Sequence, residues 1–121
     1  MLLNISNHPS AEWPEAQLQA AKEQFGAVSD LTHPAIDPQA DTDEVLQTAE
    51  SYYIKVRKID PHAVHIMGEQ TFCYALVRKL QQCGIPCYAS TTRRQAVRIS
   101  DTEIRRTFEF VQFRAYPASG V

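Results

Sequence analysis

The sequence predicts a single α/β domain over residues 1–121, a Rossmann-like three-layer sandwich with helices on both faces of a mostly parallel sheet. Three observations carry this prediction. Four short apolar runs alternate with helix-like patterns up to residue 90, and two strand-like segments follow with no helix between them. The composition, 44% hydrophobic and 21% charged over 121 residues, suits one ordinary hydrophobic core.

The first strand and helix are recognised from an apolar run and the residues that punctuate it. Residues 2–5 are mostly apolar and precede a polar loop, which predicts a strand that ends in a turn. The next helix, 14–25, starts at Pro14, which a first helical turn tolerates. It stops at Gly26, because glycine accepts the left-handed conformation common after helices. Residues 27–31 predict the second strand.

A long helix and a buried strand follow a loop that contains two prolines. Asp41 or Thr42 caps this helix, which extends to about Ile59. Its predicted buried positions are Val45, Leu46, Ala49, Tyr52, Tyr53 and Val56. Residues 63–67 then predict the third strand.

The remaining chain predicts a third helix, a fourth strand and a hairpin. Apolar residues recur with helical spacing over 71–82. They are Phe72, Ala75, Leu76, Leu80 and Cys83. Residues 85–90 are apolar enough for a strand covered on both faces of a parallel sheet. Alternation over 107–113 predicts an antiparallel C-terminal hairpin with 97–99, turning at 100–103.

Right-handed crossovers between parallel strands lead us to expect the strand order 2-1-3-4. In that order the loops after strands one and three lie side by side at the topological switch point, where open α/β sheets bind ligands. The loop after strand four lies next to them. The residues that we expect to converge there are Asn7, His8, Glu69, Thr71, Thr92 and Arg93.

Charge and composition argue against several classes of protein. A formal net charge of -2 disfavours general nucleic-acid binding, which normally needs a basic face. No apolar run approaches the roughly 20 residues of a membrane helix, and no signal region is recognisable, so we expect a cytoplasmic protein without membrane contact. The three cysteines form no C-x-x-C pair, which favours reduced thiols over disulfides or zinc. They are Cys73, Cys83 and Cys87.

The apolar run 64–67 opens into a helix through Gly68 and Glu69, an arrangement that holds ligands in α/β proteins because the first helical N–H groups are free. The dinucleotide fingerprint G-x-G-x-x-G and the P-loop sequence are both absent, which argues against those two functions. Glu69 has three open roles. It could bind a ribose hydroxyl, act as a base, or cap the helix.

Hydroxyls and guanidinium groups follow the fourth strand. Ser90, Thr91 and Thr92 can donate to a phosphate, and Arg93 and Arg94 can neutralise it. The arginines could instead pair with acidic residues of the chain or with a partner.

Two histidines and two aromatic residues have both functional and structural interpretations. His8 lies in the loop after the first strand, where it could exchange protons or brace the turn. His65 lies inside an apolar strand, which favours a hydrogen-bonded core histidine. Trp13 and Phe72 could stack on a base, although their positions favour packing.

Four segments together resemble a known family. They are Asn-His-Pro-Ser at 7–10, His-Ile-Met-Gly-Glu-Gln-Thr-Phe at 65–72, Ala-Ser-Thr-Thr-Arg at 89–93, and the terminal segment 108–116. This combination resembles the small stand-alone ring nucleases of type III CRISPR systems, which are built on the CRISPR-associated Rossmann (CARF) fold. The resemblance implies a homodimer that binds a cyclic oligoadenylate, with cyclic tetra-adenylate favoured, and cleaves it to end the antiviral signal.

The resemblance also implies a chemistry without metal or cofactor. A ribose 2′-hydroxyl attacks the adjacent phosphate and leaves a 2′,3′-cyclic phosphate. In this chain His8 or Glu69 would exchange protons and Arg93 would stabilise charge. The expected ligand-binding residues are Asn7, Ser10, Gly68, Gln70, Thr71, Phe72, Ser90, Thr91, Thr92 and Arg94. The Phe-rich hairpin would form the dimer interface.

Two other functions stay open. A noncatalytic sensor or sponge of the same nucleotide would use the same side chains and release no product. A flavodoxin-like protein acting on another phosphorylated metabolite would also place hydroxyls at its strand ends.

Overall fold

The structure, a computed structural model, describes residues 1–118. Its strands and helices, in chain order, are β1 (Leu2–Ser6), α1 (Glu15–Phe25), β2 (Val28–Asp30), α2 (Thr42–Ile59), β3 (Ala63–Met67), α3 (Gln70–Gln82), β4 (Cys87–Arg98) and β5 (Ile104–Ala115). A short 3₁₀ turn, Ser10–Glu12, connects β1 to α1. No helix within residues 1–118 is long and apolar enough to cross a membrane.

The sheet has the order β2-β1-β3-β4-β5. Strand β1 pairs in parallel with β2 and β3, β3 pairs in parallel with β4, and β4 pairs antiparallel with β5. The predicted α/β fold, with a parallel order of 2-1-3-4 and a C-terminal antiparallel pair, is therefore confirmed. The switch point lies between β1 and β3, as expected for this order.

The helices divide between the two faces of the sheet and form a three-layer sandwich. Alternate residues of a strand point to opposite faces, so Leu3 and Ile5 join the cluster under α2 and α3. Leu2 and Ala63 join a smaller cluster with Trp13 and Ala21 on the side of α1. One face is thus covered by two helices and the other by one.

The structure corrects the predicted number of strands. We expected a fourth strand at 85–90 and a separate hairpin strand at 97–99, but β4 runs without interruption over 12 residues. The same strand pairs with β3 at its start and with β5 along most of its length. The register shifts opposite Thr91 and Thr92, which pair with Gln112 and Phe110, so that Val111 of β5 is left as a bulge. Thr92 and Arg93 therefore lie within a strand.

Helix α2 begins and ends close to the predicted residues. Asp41 caps it, because its side chain accepts a hydrogen bond of 2.8 Å from the backbone N–H of Glu44. Val45, Ala49 and Val56 are buried, which fits one helical stripe. Leu46 was predicted to be buried and is 44% exposed. It follows Val45 directly, so it lies about 100° around the helix from that stripe.

Helix α3 covers the sheet beside α2 and buries more of its residues than α2 does. Its buried residues are Phe72, Cys73, Ala75, Leu76, Val77 and Leu80. The predicted core residue Cys83 is instead exposed, because the helix ends at Gln82. Gly84 then turns the chain with a φ of 84°, a left-handed value that favours glycine.

Candidate functional site

A cleft of about 520 Å³ opens at the carboxyl edge of β1, β3 and β4, on the side of α1. We call it the switch-point cleft. Its polar wall includes Asn7, His8, Ser90 and Thr92, and Gly68 lies beside them. Aromatic side chains from the segment before α1 and from β5 complete the wall. They are Trp13, Phe108 and Phe110. The cleft therefore combines hydroxyl, amide, imidazole and aromatic groups with the exposed carboxylate of Glu12.

Three side chains fix the loop that carries His8 by donating hydrogen bonds to its backbone carbonyl. The carbonyl oxygen of His8 accepts hydrogen bonds from Asn4 Nδ2 at 2.9 Å, Ser6 Oγ at 3.0 Å and Trp13 Nε1 at 3.1 Å. Three donors on one carbonyl fix the position of this residue. Its side chain stays exposed and lines the cleft. The backbone braces the turn, and the imidazole is left for a ligand.

Behind the cleft, a chain of hydrogen bonds crosses four adjacent strands. Asp30 Oδ1 accepts from Asn4 Nδ2 at 2.8 Å, Asn4 Oδ1 lies 2.9 Å from His65 Nδ1, and His65 Nε2 lies 3.1 Å from Ser90 Oγ. The four residues come from β2, β1, β3 and β4 in that spatial order. We call this chain the cross-strand relay. It connects a carboxylate at one side of the sheet to a hydroxyl in the cleft.

His65 is the buried centre of the relay. It is 1% exposed, and its ring makes edge contacts with Trp13 at 5.1 Å and Phe113 at 5.6 Å between centroids. Burial lowers the pKa of His65 from 6.5 to about 4, because an imidazolium would lose its hydration there. His65 is therefore neutral at physiological pH.

Asp30 and Ser10 fix the outer end of the relay. Burial opposes ionisation of Asp30, but hydrogen bonds from Ser10 and Asn4 outweigh it and hold the pKa of Asp30 below its usual value. Ser10 donates to Asp30 through its backbone N–H at 2.9 Å and its Oγ at 2.6 Å. The predicted ligand-binding hydroxyl of Ser10 is thus engaged within the protein.

Glu69 caps helix α3. Its carboxylate accepts hydrogen bonds from the backbone N–H groups of Thr71 and Phe72, at 3.2 and 2.8 Å, and from Thr71 Oγ1. The hydrogen bond from the Thr71 hydroxyl contributes most to lowering the pKa of Glu69. Of the three roles considered for Glu69, the structure shows the cap.

Phe72 and Gly68 have structural reasons for their positions. Phe72 is fully buried and contacts the rings of His33 and Tyr52 edge-on at 5.2 Å, so it is a core residue and cannot stack on a ligand. Gly68 has a φ of 153°, and a Cβ there would lie 2.3 Å from His33 Cε1. His33 therefore requires a glycine at this turn, a contact that the sequence did not predict.

The two arginines after Ser90 lie on opposite faces of the hairpin. The guanidinium of Arg94 lies 5.3 Å from the ring centroid of Phe108, which lines the cleft. Arg93 is the next residue along β4, so alternation places it on the other face, opposite Glu109 in the ladder. The expected convergence of Arg93 on the site is wrong, and Arg94 is the cation beside the cleft.

The structure therefore brings together part of the predicted set. Asn7, His8, Gly68, Ser90 and Thr92 share the cleft. The predicted residues that lie elsewhere are Ser10 beside Asp30, Glu69, Gln70 and Thr71 at the start of α3, Phe72 in the core, and Thr91 and Arg93 on the other face of β4.

The sequence interpretation missed the relay, although the sequence contains a signal for it. Asn4 and His65 are single polar residues in otherwise apolar stretches of two strands, and they pair directly in the sheet. Asp30 pairs with Asn4 from the other side. Polar residues buried in neighbouring strands must satisfy one another, so this pattern predicts a hydrogen-bonded network.

A second groove of about 640 Å³ lies on the opposite face, between α3 and the segment after β5. Its polar and charged residues are Gln70, Arg78 and Gln81, and its walls also include Met67, Cys73, Tyr74 and Tyr116. Burial raises the pKa of Cys73 to about 11, so its thiol stays protonated and weakly nucleophilic at neutral pH. The cation of this groove is engaged within the protein, because Arg78 Nη1 donates a hydrogen bond of 3.0 Å to Tyr74 Oη.

The cysteines and the acidic residues form no recognisable centre. All three cysteines are unpaired, and burial raises the pKa of Cys87 to about 12. Within the described part of the chain, no group of three or more His, Cys, Asp and Glu side chains is arranged to hold a metal ion.

Comparison with known proteins gives a family. No curated protein and no solved structure matches the chain significantly. One family model, described as the uncharacterized protein MJ1673 family, matches residues 1–114. Because this match covers nearly the whole fold, the chain belongs to the uncharacterized protein MJ1673 family.

Proposed function

We propose that the protein binds a cyclic oligoadenylate in the switch-point cleft and cleaves it by metal-independent attack of a ribose 2′-hydroxyl on the neighbouring phosphodiester. In a type III CRISPR system this reaction would switch off the antiviral signal. The observation that carries the proposal is the composition of the cleft. An exposed imidazole, two hydroxyls, an amide and the exposed ring of Phe108 share one opening at the switch point.

Base and phosphate recognition would come from the two sides of the cleft. Phe108 is 61% exposed, and its ring is available to stack on adenine. Stacking on an aromatic side chain contributes about 1–3 kcal/mol per base. Arg94 lies against the same ring and supplies a positive charge for the adjoining phosphate. Thr92 and Asn7 supply neutral donors within the same cleft.

The chemistry would need positioning, charge stabilisation and proton exchange. The 2′-oxygen loses its proton and bonds to phosphorus, while the 5′-oxygen leaves with a proton and the product ends in a 2′,3′-cyclic phosphate. His8 exchanges these protons, since imidazole is suited to that task near neutral pH. Arg94, in place of Arg93, stabilises the developing phosphorane charge.

The size of the cleft supports a homodimer. About 520 Å³ accommodates a ligand of drug or mononucleotide size, so a cyclic tetra-adenylate needs two such clefts facing each other. A two-fold dimer would provide them, because the repeated nucleotides of the ring match its symmetry. The hairpin of β4 and β5 is rich in exposed apolar residues, which supports its role as the interface. They are Val97, Ile99, Ile104, Phe108 and Val111.

The capping of α3 favours one alternative, a sensor or sponge that binds without cleaving. Both carboxylate oxygens of Glu69 are engaged by donors at the start of its helix. His8 and Glu12 are then the exposed acid–base groups in the cleft wall, beside the neutral Asn7, Ser90 and Thr92. Because the Glu69 carboxylate is engaged in the cap, one of the two predicted acid–base groups is lost from the site, which would slow cleavage.

The test is a cleavage assay of the purified protein with cyclic tri-, tetra- and hexa-adenylate in separate reactions, each with EDTA. Products are resolved by chromatography and mass. We expect linear products that end in a cyclic phosphate, with a loss of about 100-fold or more in rate for His8→Ala and a similar loss for Arg94→Ala.

Arg93→Ala is the matched control, because it removes the same charge from the opposite face of the same strand. Its rate should stay within about threefold of the unmodified protein. Intact ligand with tight binding would replace the nuclease by the sensor. Absence of both binding and cleavage would refute the nucleotide proposal and favour a protein that acts on another phosphorylated metabolite.

A further inference from the structure

The cross-strand relay has a defined hydrogen-bond direction, which begins at Asn4. Its Nδ2 lies 2.9 Å from the carbonyl oxygen of His8 and 2.8 Å from Asp30 Oδ1. Both partners only accept hydrogen bonds, so the amide nitrogen must face them and donate its two hydrogens. Asn4 Oδ1 then faces His65 Nδ1, and this oxygen can only accept.

The direction continues through the imidazole. Because Asn4 Oδ1 carries no hydrogen, His65 Nδ1 must carry one. A neutral imidazole has a single N–H, so His65 Nε2 has a free lone pair. The atom 3.1 Å from it, Ser90 Oγ, must therefore donate. The relay fixes the tautomer of His65 and the rotation of the Ser90 hydroxyl together.

A competing partner of Ser90 does not reverse this direction. Met67 Sδ also lies 3.1 Å from Ser90 Oγ, but a thioether sulfur is a weak acceptor. If the hydroxyl turned to the sulfur, His65 Nε2 would be a buried acceptor without a partner, which is costly. The hydroxyl proton therefore points to His65, and the lone pairs of Ser90 Oγ remain for the cleft.

We propose that Ser90 is a hydrogen-bond acceptor that selects and orients a hydroxyl of the ligand in the switch-point cleft. The identity of that hydroxyl rests on the proposed function, in which it is the ribose 2′-hydroxyl that attacks phosphorus. His65, Asn4 and Asp30 are positioning residues, because they act on the ligand only through Ser90. Ser90 was expected to donate to phosphate, and the relay assigns it the opposite role.

Because His65 is buried, the relay orients the 2′-hydroxyl but does not remove its proton. An imidazolium at this position is unfavourable, so the relay is not a sink for the proton of the 2′-hydroxyl. Proton exchange stays with the exposed His8. Ser90 holds the attacking oxygen in one direction, as orientation requires.

The first test measures the direction of the relay in the ligand-free protein. Nitrogen-15 NMR of the imidazole side chains identifies the protonated nitrogen of each histidine, and His65→Gln assigns the His65 signals. We expect the Nδ1–H tautomer of His65 at pH 7. The Nε2–H tautomer would overturn the inference, whether or not the protein cleaves nucleotides.

The second test measures selectivity for the hydroxyl. Binding of cyclic tetra-adenylate and of its all-2′-deoxy analogue is compared in a His8→Ala background, where slow turnover permits equilibrium measurement. We expect the ribose ligand to bind about tenfold to hundredfold more tightly, because the deoxy analogue lacks the hydrogen bond to Ser90 Oγ. Ser90→Ala should remove most of this preference, and Ser90→Thr, which retains the hydroxyl, should restore part of it.

Thr92→Val is the matched control, since it removes a hydroxyl of the same cleft that lies outside the relay. This variant should weaken binding of both ligands to a similar extent and leave the ratio of their affinities unchanged. An unchanged preference in Ser90→Ala would overturn the inference while leaving the proposed function intact. Failure of both ligands to bind would refute the proposed function, and the assignment of the 2′-hydroxyl with it, whatever the tautomer of His65.

Discussion

The two faces of the sheet differ in how they are covered and in what they bury. Helices α2 and α3 lie over one face and enclose a large apolar cluster. Helix α1 alone lies over the other, where the cluster is smaller and the buried polar residues Asn4 and His65 are found. The apolar cluster under α2 and α3 is therefore expected to contribute most of the stability. The thinly covered face has room for a cleft and for polar groups that reach it.

Substitutions of core residues should have the largest effect, and the loss of stability should differ between the two faces of the sheet. Leu76 is fully buried under α3, and Leu76→Ala should lower the free energy of unfolding by about 2–5 kcal/mol, because it leaves a cavity. Leu18 on α1 is only partly buried, and Leu18→Ala should cost about 1 kcal/mol. Urea denaturation measures both. Equal losses would show that the two faces contribute alike.

A second effect concerns the pH dependence of stability on the α1 face. The unfolded chain protonates His65 near pH 6.5 and the folded protein only near 4, so the unfolded state binds more protons between these values. Acidification through this window should therefore destabilise the fold by about 3 kcal/mol. Chemical denaturation at several pH values measures the slope.

The control for this pH dependence compares two histidines. His65→Gln should flatten the slope between pH 6.5 and 4, whereas His62→Gln at an exposed site should preserve it. Asp30 and Glu69 contribute in both variants, since their lowered pKa values add a loss of stability at the acidic end. A slope that survives in His65→Gln would contradict the burial argument.

The smallest effect on stability is expected at the exposed hairpin. Phe108→Ser should change the free energy of unfolding by no more than about 0.5 kcal/mol, because the ring is 61% exposed. It should nevertheless shift the proposed dimer toward monomer in sedimentation experiments. Tyr74→Ser removes a ring of similar exposure from the other face and should leave the oligomeric state unchanged. A dimer that persists in Phe108→Ser would place the interface elsewhere.

The sequence predicted the parallel part of the fold because local signals and topology agree there. The apolar run at 63–67 matches β3 residue for residue, and α2 is capped by Asp41, one of the two predicted caps. The sequence did not reveal that β4 continues beyond Ser90, because the polar and charged residues 91–95 interrupt the apolar pattern that predicts a strand. That one difference decides which face Arg93 and Arg94 occupy.

The candidate site was predicted in part for a similar reason. Loop residues such as Asn7 and His8 follow from strand order, since their position depends only on where β1 ends. Ser10 differed because its partner Asp30 comes from another strand, and Glu69 took the capping role, one of the three considered for it. His65 was correctly interpreted as a hydrogen-bonded core histidine, but its partners come from strands far apart in the sequence.

The continuity of β4 also determines where local unfolding of the sheet begins. One ladder of hydrogen bonds joins the hairpin tip to the strand beside β3, and the outer part of that ladder is exposed to water on both faces. Fraying should start at residues 99–103 and spread inward until it reaches the bulge, where packing of Phe113 and Tyr88 resists it. Amide hydrogens between the bulge and the hairpin tip should exchange with solvent by this local unfolding. Those of β1 and β3 should exchange only by global unfolding.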